Sequence, residues 1–192
     1  MKTLKHETHE MHKKAEAKKF ASALVSGNIP PQTYYQYLCN QHKIYHALEC
    51  CVRNSIPRDL RKVFRTKRII QDLECLENFY DFKSSTDLIT QSTWEYVNYV
   101  YQRYNDDEVS KLLLHMYVRH LGDMYGGKII QTAIKKRTGD QYLGEGKMYD
   151  FEDKNELKSM IRDIVSVEDA DEASLCFGFA IRLFEELEDG LE

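Results

Sequence analysis

The chain has 192 residues, of which 42% are hydrophobic and 30% charged, so its composition excludes a disordered or fibrous protein. Its formal net charge of −4 argues against broad binding to nucleic acid phosphates. The five cysteines form no Cys-x-x-Cys pair, which favours reduced thiols over disulfides or a zinc site. The N-terminus is too polar for a signal peptide and no run of about 18 apolar residues occurs. We therefore expect a cytoplasmic protein without a membrane span.

Almost every segment has the apolar periodicity of a helix, and no convincing alternating strand pattern interrupts it. Glycine, proline and cap residues set the limits of about seven predicted helices. These span about residues 3–26, 30–53, 58–80, 84–104, 105–139, 155–165 and 168–188, with a loop over 139–154. The pattern predicts an all-α fold, with residues 1–192 in a single domain.

The first predicted helix carries three histidines spaced by three, of which His12 is the last. Lys5 lies seven residues before His12, two turns along the same face, and Glu16 lies one turn after it. A neutral imidazole is a good axial ligand for iron. A lysine about 10 Å along that face could reach an anionic edge of a cofactor. A solvated helix with surface histidines explains the same pattern.

The stretch "YVRHLGDMYGGKIIQ", residues 117–131, has a helical pattern but carries three glycines. Each interior glycine costs a helix about 0.5–1 kcal/mol relative to alanine. Gly122, Gly126 and Gly127 share one helix face with Arg119 and Asp123. Such a face is a shallow trough where a broad ligand can touch the backbone, and glycine also allows a kink. Close packing of two helices is the alternative explanation.

Five blocks in this sequence together resemble the haem oxygenase family. They are "HKKAEAKKF" (12–20), "IYHALE" (44–49), "YVRHLGDMYGGK" (117–128), "GEGKMYDF" (144–151) and "LFEELE" (183–188). The third block resembles the family's distal signature and is the most specific of the five. The blocks occur in family order and span nearly the whole chain.

The resemblance implies a haem sandwiched between the first helix and a distal helix kinked at its glycines. It makes His12 the proximal iron ligand, within a stretch that includes Glu16. It makes the three glycines the distal wall, where the backbone lies against the porphyrin and leaves room for O₂. It gives Asp123 a water network on the oxygen-binding side, which Arg119 helps to order.

The resemblance also assigns residues to the two haem propionates and to the haem's surroundings. Lys5 corresponds to the family's lysine seven residues before the proximal histidine. Lys158 and Arg162 correspond to a Lys-x-x-x-Arg pair, and Tyr117 to a tyrosine that contacts a propionate. Phe177 corresponds to a phenylalanine packed near the haem. Without the resemblance, ordinary surface charge is the better explanation of the Lys-Arg pair, and core packing explains the phenylalanine equally well.

Four positions depart from the pattern of the family. His120 stands where many members have tyrosine, and His42 stands where some members have tyrosine. Tyr125 replaces a small residue before the two glycines, where it narrows the pocket or points outward. Ala180 stands where some members have asparagine. We therefore expect a rearranged distal water network with the same iron ligand.

The implied reaction converts haem, O₂ and electrons to biliverdin IXα, CO and Fe²⁺. By the same resemblance we expect reduced ferredoxin as the electron donor, a bilin reductase downstream, and a monomer. A non-catalytic haem-binding or storage protein is one alternative. A thiaminase-like enzyme of similar fold is another. A di-iron oxidase is disfavoured, because its Glu-x-x-His signature does not occur in the chain.

Overall fold

The computed structural model describes residues 3–166 and 170–192. Within these ranges the chain forms nine α-helices and no strand, which confirms the predicted all-α fold. The α-helices are α1 (Leu4–Glu7), α2 (His9–Glu16), α3 (Lys19–Ser26), α4 (Pro31–Val52), α5 (Thr66–Tyr80), α6 (Gln91–Asn105), α7 (Val109–Lys135), α8 (Lys154–Asp163) and α9 (Ala170–Leu187). Short 3-10 helices lie at Asp59–Val63, Thr86–Leu88, Gly139–Gln141, Lys147–Tyr149 and Glu188–Leu191.

Helix α4 is the centre of the fold. Its 22 residues pack against α5, α6 and α7, and apolar side chains such as Tyr34, Leu38 and Leu48 are fully buried. Burying a leucine-sized side chain contributes roughly 1.5–3 kcal/mol. Fifteen of the 22 residues of α4 are buried, so the neighbouring helices cover most of its surface.

Helix α9 joins the N-terminal helices to α7, because it packs against both α2 and α7. A small apolar cluster of Leu4, Leu114 and Ala173 ties α1, α7 and α9 together at one end. Helices α2 and α7 are thus held by a common support. No helix in the described ranges is both long and apolar enough to cross a bilayer.

The prediction of one continuous helix over 3–26 was wrong, since α1, α2 and α3 replace it. Thr8 separates α1 from α2, and its hydroxyl donates to the carbonyl of Leu4 at 2.8 Å. Threonine side chains compete in this way with the backbone ladder. Lys18 is extended and separates α2 from α3. Lys5 and His12 therefore do not lie on one uninterrupted helix.

The helix predicted over 58–80 is also divided, into a 3-10 helix and α5, at Phe64 and Arg65. The guanidinium of Arg65 is buried and donates to the carbonyls of Lys62, Val63 and Asp150 at 2.7 Å. The bonds to Lys62 and Val63 satisfy carbonyls that a continuous helix would have used, so the chain can turn here.

Other helix limits moved by a few residues. Ser85 caps only the 3-10 helix Thr86–Leu88, whereas Thr90 caps α6 by accepting from the amide of Thr93. Helix α7 ends at Lys135, short of Gly139. The start of the helix predicted over 168–188 falls partly on residues 167–169, which lie outside the described ranges.

Candidate functional site

His12 lies on α2 and its side chain is half exposed. Two other side chains contact its ring. Its Nδ1 lies 3.3 Å from Oε2 of Glu16, one helical turn later. Its ring meets the edge of Phe177 on α9, with ring centroids 5.7 Å apart and an interplanar angle of 78°. A carboxylate on Nδ1 fixes the proton there and leaves Nε2 free to bind a metal. Glu16 and Phe177 thus orient His12 as an iron ligand requires.

Gly122 and Gly126 form an open backbone face on α7. Both are exposed, and a Cβ atom built on either would meet no atom within 4 Å. Helix α7 nonetheless continues without interruption through these positions. Space above a bare helical backbone suits a flat ligand that approaches the main chain.

Gly127 differs from the other two glycines because it is a packing residue. A Cβ atom there would lie 2.3 Å from Cδ1 of Tyr149. The ring of Tyr149 is fully buried and belongs to the 3-10 helix Lys147–Tyr149 in the segment after α7. The sequence pattern placed all three glycines on one ligand-facing trough. In the structure Gly127 packs under the Tyr149 ring from the segment after α7, not against another α-helix, and the open face consists of Gly122 and Gly126.

This difference predicts opposite stability effects for two neighbouring substitutions. Gly126→Ala should raise the free energy of unfolding by about 0.5–1 kcal/mol, since alanine is the better helix former. Gly127→Ala should lower it by about 1–3 kcal/mol, because Tyr149 must move. Chemical denaturation of the protein without haem checks both values. Equal destabilisation by the two variants would contradict this assignment.

Asp123 lies on the same face of α7, and its carboxylate Oδ2 accepts a hydrogen bond from the hydroxyl of Tyr45 on α4. Burial raises the pKa of the Asp123 carboxyl, although Tyr45 and the neighbouring cations oppose that shift. Tyr45 was part of a quoted block but received no role in the sequence interpretation. A carboxyl held this way is suited to exchange protons with water at the open face of α7.

Arg119 lies one helical turn before Asp123 and is almost fully buried. Its guanidinium stacks over the ring of Tyr96 at 4.5 Å. Its Nε and Nη2 atoms make no hydrogen bond to the part of the chain that the structure describes. Buried donors of this kind need an acceptor, which ordered water can supply. The arrangement fits the water network that the resemblance assigns to this side of a haem.

A buried polar cluster lies behind Arg119 and was missed by the sequence interpretation. Nδ1 of His115 is 2.9 Å from the hydroxyl of Tyr96, and its Nε2 is 3.0 Å from Oε1 of Glu172. Burial disfavours a charged His115, but Cys176 and Glu172 outweigh it and raise the pKa of His115 to about 9. This cluster fixes Tyr96 beneath the Arg119 guanidinium.

The residues assigned to propionates lie on three different helices. Lys5 is exposed on α1, and Tyr117 packs half-buried against the cluster that contains Leu4. On α8, Arg162 is exposed, and Nζ of Lys158 lies 4.6 Å from the ring centroid of Tyr125.

A family model described as "Heme oxygenase" matches residues 1–185. The chain belongs to the haem oxygenase family. Membership confirms the resemblance drawn from the five sequence blocks, and with it haem oxygenase function.

Individual haem oxygenases are distant relatives of this chain. One from Guillardia theta is 26% identical over 205 residues, which cover 96% of this chain and 84% of the relative. Heme oxygenase 2 of Synechocystis is 25% identical, with 90% and 72% covered.

Solved haem oxygenase structures share the fold at similar distance. The structure of haem oxygenase-1 from Synechocystis in complex with haem has a TM-score of 0.76 at 23% identity, covering 98% of this chain and 91% of that one. The haem oxygenase of Leptospira interrogans has a TM-score of 0.77 at 23% identity, with 95% and 97% covered. These likenesses confirm the fold and leave the roles of individual residues to the geometry.

The structure shows where the four residues that depart from the family pattern lie. Tyr125 is exposed and points away from the core, where it meets Lys158. His42 stacks on His46 and lines a groove of about 440 Å³ between α4 and α5. Ala180 is half-buried on α9. His120 is fully buried and bonded to Glu49.

Proposed function

We propose that this haem oxygenase binds haem between α2 and α7 and cleaves it to biliverdin IXα, CO and Fe²⁺. The observation that carries the proposal is a pair of complementary walls. One wall has His12 oriented by Glu16 and Phe177, and the other has the open backbone at Gly122 and Gly126. Both walls rest on α9.

Haem supplies the iron that binds and activates O₂, and it is also the molecule that is cleaved. His12 would hold the iron through Nε2 while Glu16 keeps the proton on Nδ1. A neutral imidazole does not promote early cleavage of the O–O bond as a thiolate does. Gly122 and Gly126 leave the opposite side open for O₂ and exclude side chains from it.

The proton work falls to Asp123 in this proposal. Tyr45 fixes one carboxylate oxygen. Arg119, one helical turn earlier, has two nitrogen atoms with no hydrogen-bond partner among the residues that the structure describes. A carboxyl that acts through water delivers protons without occupying the oxygen-binding side. Gly127 would support this wall indirectly by seating Tyr149.

Lys5, Tyr117, Lys158 and Arg162 would bind the haem propionates and so fix the rotation of the ring. That rotation would decide which meso carbon is attacked, and cleavage at the α position is proposed because these four residues match the propionate contacts of the family. The ammonium group of Lys158, which lies over the ring of Tyr125, would bind a propionate from that position.

The products of a single turnover test this proposal. The protein is mixed with one equivalent of haemin and a ferredoxin reducing system in air, and the bilin is extracted and identified. Biliverdin IXα with stoichiometric CO is the expected result. Unchanged haem recovered in full, also when ascorbate replaces the ferredoxin system, would instead establish a haem carrier. Another biliverdin isomer would overturn the propionate assignment alone.

We further propose reduced ferredoxin as the electron donor, docking on the basic side of α2 and α3. Lys14 and Lys19 are exposed there, while Lys13 pairs with Glu10 at 3.6 Å and Lys18 pairs with Glu185. Ferredoxins are acidic, so charge complementarity would steer the encounter.

Reversing Lys14 and Lys19 to glutamate should raise the KM for ferredoxin about tenfold at low salt, with kcat nearly unchanged. The effect should shrink as ionic strength rises. Lys67→Glu/Lys83→Glu, a pair in the α5 region, is the matched control for total charge. An equal KM for the wild-type and Lys14/Lys19 proteins would remove α2 and α3 as the docking surface.

The family resemblance extends the proposal to a monomer that works in the cytoplasm and passes biliverdin to a bilin reductase. Each of these statements is separate from the cleavage reaction. Gel filtration at working concentration tests the first of them.

A further inference from the structure

His120 is a fully buried histidine whose two ring nitrogens both face hydrogen-bond acceptors. Nδ1 lies 3.1 Å from the carbonyl oxygen of Met116, and Nε2 lies 3.2 Å from Oε1 of Glu49. A carbonyl oxygen can only accept, so Nδ1 must carry a proton. Turning the ring over would aim carbon atoms at both acceptors.

Glu49 in turn is surrounded by donors. Its Oε2 accepts from the amide of Thr66 at 3.1 Å and from the Thr66 hydroxyl at 2.6 Å. Its Oε1 accepts from the amide of Arg65 as well as from His120. Hydrogen bonds to a carboxylate favour its ionised form. A proton on Nε2 matches an ionised Glu49, and together with the proton on Nδ1 this is the hydrogen-bonding pattern of an imidazolium.

This charge lies beside the proposed proton-transfer site. His120 and Asp123 are three residues apart on α7, and the His120 ring meets the edge of Tyr45, with centroids 5.0 Å apart. Tyr45 is the residue that bonds Asp123. The charged and titratable groups around His120 and Asp123 come from α4, from α7 and from the segments beside α5 and after α7. They are Tyr34, Tyr37, Tyr45, Glu49, Arg65, Arg119 and Tyr149.

We propose that His120, kept positively charged by Glu49, is a positioning residue that favours the ionised form of Asp123 and so sets the pH range of proton delivery. The inference deepens the proposed function and rests on the role given to Asp123 there. His120 stands where many family members have a tyrosine, which carries no such charge.

The charge of His120 can be measured without haem. Nitrogen-15 NMR of the histidine side chains in the haem-free protein should show both His120 nitrogens protonated at pH 7. In Glu49→Gln the carboxylate is lost, and one His120 nitrogen should become unprotonated. A neutral His120 imidazole in the wild-type protein at pH 7 overturns the proposal.

The effect on Asp123 is the second measurement, by carbon-13 NMR titration of its carboxyl in the haem-free protein. His120→Asn should raise the pKa of Asp123 by about 1 unit, because it removes the cation and leaves Glu49 in place. Glu49→Gln should raise it by less, because it removes an anion together with the cation. His46→Asn, an exposed histidine on α4 next in sequence to Tyr45, is the control and should leave that pKa unchanged. If His120→Asn does not fold, Glu49→Gln and the wild-type measurement still decide.

In the haem-loaded enzyme, the pH profile of kcat should move to higher pH in each variant by the same amount as the pKa of Asp123 moves in that variant. A purely structural His120 would lower kcat at every pH without moving the profile. If the NMR shifts occur but haem is not cleaved, the proposed function fails while the charge assignment stands. If haem is cleaved and neither shift occurs, only the role of His120 fails.

Discussion

His12→Ala should weaken haem binding by about 100-fold or more and remove the sharp Soret band of the ferric complex. Losing only the supporting partner of a metal ligand typically costs about 10–100-fold in affinity, so loss of the ligand should cost at least as much. Titration with haemin, followed at the Soret band, measures this effect. Added imidazole should restore the band, because it can occupy the space that the side chain leaves.

Two companion variants locate the effect on His12. His9→Ala removes an exposed imidazole from the same helix and should bind haem like the wild type. Glu16→Gln keeps the ligand but weakens its orienting bond to Nδ1, and should cost about tenfold. If His12→Ala binds haem as tightly as His9→Ala does, the iron ligand lies elsewhere.

Asp123→Asn should lower the rate of biliverdin formation by about 100-fold or more while haem affinity changes little. A positioned acid–base group typically contributes about 10²–10⁴-fold, and asparagine cannot exchange a proton with water. Tyr45→Phe should have a smaller effect, because it removes one hydrogen bond and keeps the ring against His120. Single-turnover spectra record haem loss and bilin appearance separately.

The control for Asp123 is Asp140→Asn, an exposed carboxylate in the turn that follows α7. It should match the wild type in both binding and turnover. Wild-type bilin yield from Asp123→Asn would show that protons reach the haem by another path, and the buried pair with Tyr45 would then be structural.

Local periodicity predicted the fold class well, because each helix buries a stripe that repeats along the sequence. It was wrong about continuity in the first 26 residues. Thr8 offers the backbone a hydroxyl in place of a helical turn, and Lys18 is extended so that α3 can pack separately on α7 and α9. A break decided by tertiary packing leaves no mark in the apolar pattern.

Spacing along one helix placed Gly122, Gly126, Arg119 and Asp123 on a common face, and the structure keeps that face. It did not separate Gly127 from the open glycines. The residue that fills the space above Gly127 is Tyr149, which comes from the loop after α7. Helical spacing predicts which residues are neighbours on one helix. It does not predict that a side chain from another segment, such as Tyr149, packs against that helix.

The hydrogen-bond partners of the proposed site residues could not be predicted from the sequence, for the same reason. Tyr45 and Asp123 are 78 residues apart, and Glu49 and His120 are 71 apart. Neither pair has a sequence spacing that predicts contact. Arg65 reads as a surface charge, yet it is buried among carbonyl oxygens. Buried polar pairs of this kind depend on how α4 and α7 pack together.

A crystal structure of the haem complex is the most direct test of the claim that haem lies between α2 and α7. We expect Nε2 of His12 on the iron, the backbone of Gly122 and Gly126 against the opposite face, and the propionates near Lys5, Lys158 and Arg162. A haem bound elsewhere, such as in the groove beside His42, with His12 left in solvent, would contradict the account.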